Sequence, residues 1–291
     1  MMFPSVMGRF RAPRQPPLND SDDTNPSSSE LAHKTASDIF YPGLFDVFKV
    51  RHILRWKIIS EGLPVEIADM IMEAAEYWPS IEARMDRRMI IRQDHDRELL
   101  RTAPLCYDEE TLKSASPNVL PHRTIHPCRK IVFTISSHDQ GWGGGPRGES
   151  PYDGSYTWFD VEIIHAIPQK GSNQADSQVS AEPTGQGESQ EPIGPRHAHF
   201  LPGPGKLQMN KTAVSQTQDY TITWHYLDNV QAESADAEEI ERLQGRGRAT
   251  LDGNIVRTLG VGDSIAVWGR ARFPGWSNHV ECISVRVFWA V

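Results

Sequence analysis

Cysteine is scarce in this sequence. Cys106, Cys128 and Cys282 are widely separated among the 291 residues and form no Cys-x-x-Cys motif. Three isolated thiols argue against a disulfide framework and against a zinc site, which needs closely spaced ligands. The chain is therefore predicted to work in a reducing compartment, with no structural metal and no cofactor.

Long hydrophobic runs and an excess of positive charge are also missing. No apolar stretch approaches the roughly 20 residues that would span a bilayer, and the N-terminus lacks the apolar segment of a signal peptide. The formal net charge is −8 at pH 7, whereas binding to nucleic-acid phosphates requires a basic surface. These features predict a cytoplasmic or nuclear protein whose partners are neither membranes nor nucleic acids.

The first part of the chain is polar at its start and then helical in pattern. Residues 1–38 contain little to bury and are predicted to be a disordered tail. Residues 39–125 are predicted to be helical, with one helix in the apolar run 44–60 and another that has Pro64 in its first turn. A third helix is predicted over 80–101, where acids and bases recur at i,i+3 spacing.

From Cys128 onward, apolar residues recur at every second position, which is the period of a β-strand. The alternating runs are CRKIVFTISSH, YTWFDVEIIHAI, DYTITWHYL, SIAVWGRARF and ECISVRVFWAV, and a further strand is expected at 205–215. A sheet with one apolar face must be covered by a second layer. Residues 126–291 are therefore predicted to form an antiparallel β-sandwich of the jelly-roll or galactose-binding-like type, which makes the chain α+β.

Two segments interrupt the predicted strands. Residues 168–204 are rich in Gly, Pro, Gln and Ser and are predicted to be a disordered insertion. Residues 228–248 carry an excess of acids and are predicted to be a solvated loop or a short helix.

Several polar groups allow either chemistry or a purely structural role. His197 and His199 form a His-x-His pair, but no third or fourth metal ligand lies beside them. The glycine-rich run 141–148 lacks the Lys-Ser/Thr ending of a phosphate-binding loop. Asp160 and Glu162 lie two apart on one strand face, so they form either a general acid/base pair of an enzyme or part of the wetted face of a sheet. No catalytic residue is assigned.

Two tryptophans, Trp142 and Trp276, fall in loops rather than in strands. If successive strands alternate in direction, these two loops lie at the same end of the domain. The tryptophans then either close that end of the core or form a platform for a glycan or peptide, because aromatic faces stack on sugar rings while polar neighbours hydrogen-bond. The predicted ligand-binding residues are Trp142, Tyr152, Trp276, Asn278 and His279.

The helix near Pro64 carries an apolar stripe that is either core or a protein interface. Its members recur at helical spacing and are Leu63, Ile67, Met70, Ile71, Ala74 and Trp78. The pattern Leu63-Pro64-x-Glu66-Ile67-x-x-x-Ile71 resembles the start of an F-box, the module that docks substrate receptors onto ubiquitin-ligase scaffolds. The resemblance implies a ligase adaptor as partner, bound by Leu63, Pro64, Ile67 and Ile71. The chain departs from the family over 80–101, which lacks a Leu-rich second helix.

Residues 128–291 resemble a domain of uncharacterised, mainly fungal proteins, through FTISSHDQGW, YTWFDVEI, LGVGD and ARFPGW-N. This resemblance implies no activity. A helical module before a β-sandwich is similar to the arrangement of F-box receptors whose sandwich domains present substrates. The leading expectation is a non-catalytic binding or adaptor protein. The alternative is a stand-alone lectin-like module, and an enzyme that uses Asp160 and Glu162 comes third.

Overall fold

The structure is a computed structural model and describes residues 40–166 and 202–291. Its helices are α1 (Leu44–Lys57), α2 (Val65–Ala74), α3 (Ala235–Gln244) and α4 (Asn254–Thr258). Its strands are β1 (Ser80–Met85), β2 (Met89–Arg92), β3 (Arg97–Arg101), β4 (Cys128–His138), β5 (Thr157–Ile164), β6 (Lys206–Met209), β7 (Gln218–His225), β8 (Ser264–Ala271) and β9 (Ser277–Trp289). The predicted tail 1–38, most of the predicted insertion 168–204, and the His197/His199 pair lie outside the described residues.

The strands form two antiparallel sheets within one compact unit, Tyr41–Val291. In the first sheet, β1 and β2 both pair with β9, which is followed by β4 and β7. The second sheet has the order β3, β8, β5, β6. Phe133 of β4 lies opposite Val285 of β9 on one side and Ile222 of β7 on the other. Because side chains alternate along a strand, this register places the apolar residues of all three strands on one face.

The apolar faces of both sheets contribute to a common core. Phe133 and Val285 from the first sheet and Phe159, Leu207 and Val267 from the second are all fully buried within it. The predicted strand runs all form strands at their expected places, and the run at 205–215 is shortened to β6. The α+β class is confirmed at the level of helices combined with antiparallel sheets.

The predicted third helix over 80–101 is wrong, because this segment forms β1, β2 and β3. The i,i+3 charge pattern favours a helix, but pairing with β9 and β8 overrides it. Glu98 and Arg101 do form the expected ion pair at 2.7 Å, but within an extended segment. The α-helical part of 39–125 therefore ends at Ala74, with only a short 3₁₀ turn at Glu109–Thr111 beyond it, and the sheets begin well before residue 126.

The acidic segment 228–248 takes the helical alternative and forms α3. The Ser234 side chain accepts a hydrogen bond from the Ala237 backbone N–H, and Gly245 ends the helix in the left-handed region. None of the helices within 40–166 and 202–291 is long and apolar enough to cross a membrane.

Buried ion pairs cover the face of β5 and β8 that points away from the core. Arg270 lies 2.9 Å from Asp160 and 2.5 Å from Asp96, and Arg272 lies 2.6 Å from Asp96. The Arg272 guanidinium also lies over the Trp158 ring at 5.3 Å. Burial raises the pKa of Asp96, but the hydrogen bond from Arg272 and the charge of Arg270 outweigh it, so the pKa lies below its usual value. Asp96 thus ties the β2–β3 turn to the second sheet.

Replacing Asp96 with Asn should lower the free energy of unfolding by about 3 kcal/mol at neutral pH, because two buried guanidinium groups lose a carboxylate. Asp86→Asn is the matched control and should cost less than about 1 kcal/mol, since Asp86 and its partner Arg84 are exposed. Because the pKa of Asp96 is lowered on folding, its contribution is lost as the pH falls below the ordinary aspartate range of about 4. Urea titrations across pH measure both effects, and equal losses in the two variants would contradict the account.

Candidate functional site

α2 is held against the sheets through its polar side. Asp69 lies 2.5 Å from Arg123, Glu73 lies 2.6 Å from Arg129, and Glu76, just after the helix, lies 2.5 Å from Lys130. We call Asp69, Glu73 and Glu76 the acid row. The i,i+4 spacing of Asp69 and Glu73 places them on one side of α2, a signal that is visible in the sequence, whereas Glu76 follows the helix with φ +49°.

Further contacts reinforce this docking. Asp69 also pairs with Arg51 of α1 at 2.8 Å, and its side chain is only 10% exposed. The hydrogen bond and charge of Lys130 lower the pKa of Glu76, against a smaller effect of burial. Trp78 lies beyond the end of α2, is buried, and donates its indole N–H to Glu73 at 3.1 Å. Trp78 therefore anchors the helix and does not belong to the exposed stripe.

With the acid row turned inward, the apolar stripe of α2 faces solvent. Ile67, Met70 and Ile71 are 42%, 66% and 41% exposed, whereas Ala68 and Met72 on the other side are buried. We call Ile67, Met70 and Ile71 the outer face of α2. Of the other predicted partner-binding residues, Leu63 is half-buried and Pro64 is exposed at the start of the helix.

α1 leads directly into this outer face. Its last turn meets the start of α2, where the Leu63 N–H donates to the Arg55 carbonyl at 2.8 Å. Gly62 has φ +78°, and a Cβ there would lie 2.8 Å from the Arg55 carbonyl oxygen and 3.2 Å from the Trp56 ring. Glycine therefore permits a close turn that brings the exposed Trp56 next to Gly62, three residues before the start of α2.

A second candidate site lies where the loops 139–156, 210–217 and 272–276 meet; we call it the loop end. The Trp142 side chain is 61% exposed, yet its ring packs on Gly275, where a Cβ would lie 2.3 Å from the ring. Gln140 joins the loops, since it donates to the Trp142 carbonyl at 2.8 Å and accepts from the Ser277 N–H at 3.3 Å. The two loop tryptophans thus lie at the same end of the domain, as strand alternation predicts.

Other aromatic rings extend this loop end. Tyr156 packs edge-on against Phe273 at 4.3 Å and against Trp276 at 5.1 Å between ring centroids. Phe273 is a non-glycine residue with φ +67°, and its carbonyl accepts from the Trp276 N–H at 3.2 Å. Such backbone strain is concentrated at functional sites in many proteins. Tyr156 was not predicted, because nothing in the sequence distinguishes it from Tyr152 in the same loop.

Beneath the loop end lies a buried carboxylate. Asp139 accepts the Gln140 N–H at 2.6 Å and the Ala213 N–H at 2.9 Å, which connects two of the three loops. Burial raises the pKa of Asp139 to about 6, although these two amides and the charge of His138 act in the opposite direction. Asp139 therefore fixes the base of the loop end and is not accessible to a ligand.

Three predicted ligand-binding residues lie away from the aromatic surface. Tyr152 belongs to the core, where its ring packs on Gly245, and burial raises its pKa. Asn278 is fully buried. Its side-chain amide accepts a hydrogen bond from Asn210 and donates one to the Trp158 carbonyl. His279 stacks on His138 at 4.6 Å, and burial, together with the charge of His138, lowers its pKa. Only Trp142 and Trp276 of the predicted set contribute to the loop-end surface.

Asp160 and Glu162 are engaged within the second sheet. Asp160 is buried and accepts from Trp158 and Arg270, so it does not lie on a wetted face. Burial raises its pKa, while Arg270 and the Trp158 hydrogen bond oppose the rise. Glu162 accepts from the Trp268 indole N–H at 2.9 Å. These contacts account for both carboxylates structurally. In the part of the chain that the structure describes, no group of three or more His, Cys, Asp or Glu residues is arranged to hold a metal ion.

Comparison of this chain with protein-family models, with curated proteins and with solved structures finds no match in any of the three. The outer face of α2 and the loop end are therefore interpreted from their own geometry.

Proposed function

We propose that this chain is a non-catalytic adaptor that binds a protein partner through the outer face of α2. The observation that carries the proposal is the orientation of the helix, with its acids paired to the sheets and its apolar side chains in water. Full burial of an aliphatic side chain is worth about 1.5–3 kcal/mol. Ile67, Met70 and Ile71 are each about half exposed, so a partner that covers them gains several kcal/mol.

The resemblance of 63–71 to the start of an F-box favours a ubiquitin-ligase adaptor as that partner. In this proposal the two sheets form a β-sandwich, of the jelly-roll or galactose-binding-like type, that presents a client or ligand. The common core between the sheets supports the sandwich, and the strand order is compatible with such folds.

Ile67→Ser combined with Ile71→Ser should reduce co-purification with the adaptor subunit of an F-box-type ubiquitin ligase at least tenfold. The reason is the loss of apolar area from the contact rather than a loss of folding: the two partly buried isoleucines contribute about 2–3 kcal/mol to stability, so the melting temperature should fall by about 4–12 °C while the protein stays folded. Ile90→Ser is the matched control, because Ile90 is an isoleucine of similar exposure on β2. Undiminished co-purification, or an equal loss in the control, would refute the proposal.

A second candidate function is carbohydrate binding at the loop end. The observation that favours it is the Trp142 ring, which is exposed and yet fixed in place on the backbone of Gly275. A fixed aromatic face can stack on a sugar ring without the entropic cost of ordering a mobile side chain.

Glycan-array binding should be lost in Trp142→Ala and in Gly275→Ala, since a Cβ at position 275 displaces the ring. Gly144→Ala is the control: its φ of +93° matches the +88° of Gly275, but nothing lies within 4 Å of its added Cβ. Both glycine variants should lose about 1–2 kcal/mol of stability from backbone strain, and only Gly275→Ala should also lose binding. An array without hits, or binding retained in Trp142→Ala, would reject this candidate.

A further inference from the structure

We infer that the partner bound at the outer face of α2 is an acidic protein surface, which is selected by α1. This inference rests on the proposed function, because the end of α1 meets the turn that leads into α2. The inference specifies the charge of the partner. It also assigns recognition of the partner to α1, which lies outside the segment that resembles an F-box.

α1 is exposed along most of its length and buries only Val47 among its side chains. Its large apolar residues are 38–79% exposed and comprise Phe45, Phe48, Ile53 and Trp56. Such a helix contributes little to the core, so the retention of four large apolar side chains on it calls for another role.

The exposed side of α1 mixes aromatic and cationic side chains. At 3.6 residues per turn, Phe45, Phe48 and Trp56 share one side of the helix, with Lys49 and Lys57 along one flank and Arg55 along the other. Arg55 also lies 5.0 Å from the Trp56 ring. Apolar groups thus form the centre of the surface and cations form its margins.

This arrangement favours a protein partner over a bilayer. A helix that lies in a membrane interface separates an apolar side from a charged side. In α1, Ile53 lies between Lys49 and Lys57, so insertion into lipid would carry ammonium groups toward the acyl chains. A protein surface with carboxylates around an apolar centre can pair with the cations of α1 and cover its aromatic side chains at the same time.

The charge of α1 is opposite to that of the chain as a whole. Because Arg51 is paired with Asp69, the helix presents Lys49, Arg55 and Lys57 against the single Asp46, whereas the full chain has a net charge of −8. A basic surface on an acidic protein steers acidic partners to one place. It also disfavours a symmetric dimer through α1, since the same cations would then face each other.

Two synthetic amphipathic peptides with the same leucine face, one flanked by glutamates and the other by lysines, can test the inference in the full chain. By fluorescence anisotropy at low salt, the glutamate peptide should bind about tenfold more tightly than the lysine peptide. Lys49→Glu with Lys57→Glu should reduce this preference to about twofold or less. Arg87→Glu with Lys113→Glu makes the same change of charge at other exposed positions and should leave the preference intact.

The outcomes separate this inference from the function on which it rests. If both peptides bind equally and neither binds Ile67→Ser/Ile71→Ser, the inference that the partner is acidic is overturned, but the proposal that α2 is the docking face is retained. A charge preference that survives in Ile67→Ser/Ile71→Ser would support recognition by α1 and remove α2 from the site. The inference also fails if neither peptide binds, if phosphatidylserine vesicles bind instead, or if the chain self-associates through α1.

Discussion

The orientation of α2 depends on the pairing of the acid row with three cations of the β-rich part. Arg123, Arg129 and Lys130 form the surface on which the helix lies. Turning the helix over would complete the burial of Ile67, Met70 and Ile71, which are already about half buried, at a gain of about 1–2 kcal/mol each. It would also cover three cations without partners, at several kcal/mol for each ion removed from water. The cost of leaving three cations without partners exceeds the gain from burying the apolar side chains, so the apolar side chains stay in solvent.

The members of the acid row do not contribute equally. The Asp69 side chain is 10% exposed and bonds two arginines, so its removal would leave partly buried charge without a partner. The Glu76 side chain is 45% exposed, and an ion pair in such a position contributes less than about 1 kcal/mol. The small side chain of Ala68 is also fully buried on this side of the helix. The partner-binding face of α2 thus follows from contacts made on its opposite side.

Much of the β-rich part could be predicted from the sequence, because alternation specifies a strand whenever one face is buried. Phe133, Ile222 and Val285 are examples, and each lies in the core as expected. The segment 80–101 was misassigned because its charges recur at the i,i+3 spacing of a helix, and pairing with β9 and β8 overrides that local signal. A wetted face was one of two alternatives for Asp160, because the sequence does not reveal that Asp96 and two arginines cover that face.

The candidate sites show the same limit. Strand alternation was enough to bring Trp142 and the loop of Trp276 together, but not to choose between Tyr152 and Tyr156 within one loop. Helical periodicity identified the stripe of Ile67 and Ile71, but it could not tell whether that stripe faces the core or the solvent. That choice depends on the positions of Arg123 and Arg129, which come from distant parts of the chain.

The orientation of α2 can be measured directly by thiol labelling of Met70→Cys and Met72→Cys, followed by mass spectrometry of the labelled peptide so that native cysteines do not contribute. Met70 is 66% exposed and Met72 is 7% exposed, although both lie in the same turn region of one helix. We expect the thiol at position 70 to react at least about tenfold faster than the thiol at position 72, since opening of the docked helix limits the latter. Equal rates, or faster labelling at position 72, would contradict the outward orientation of the apolar face.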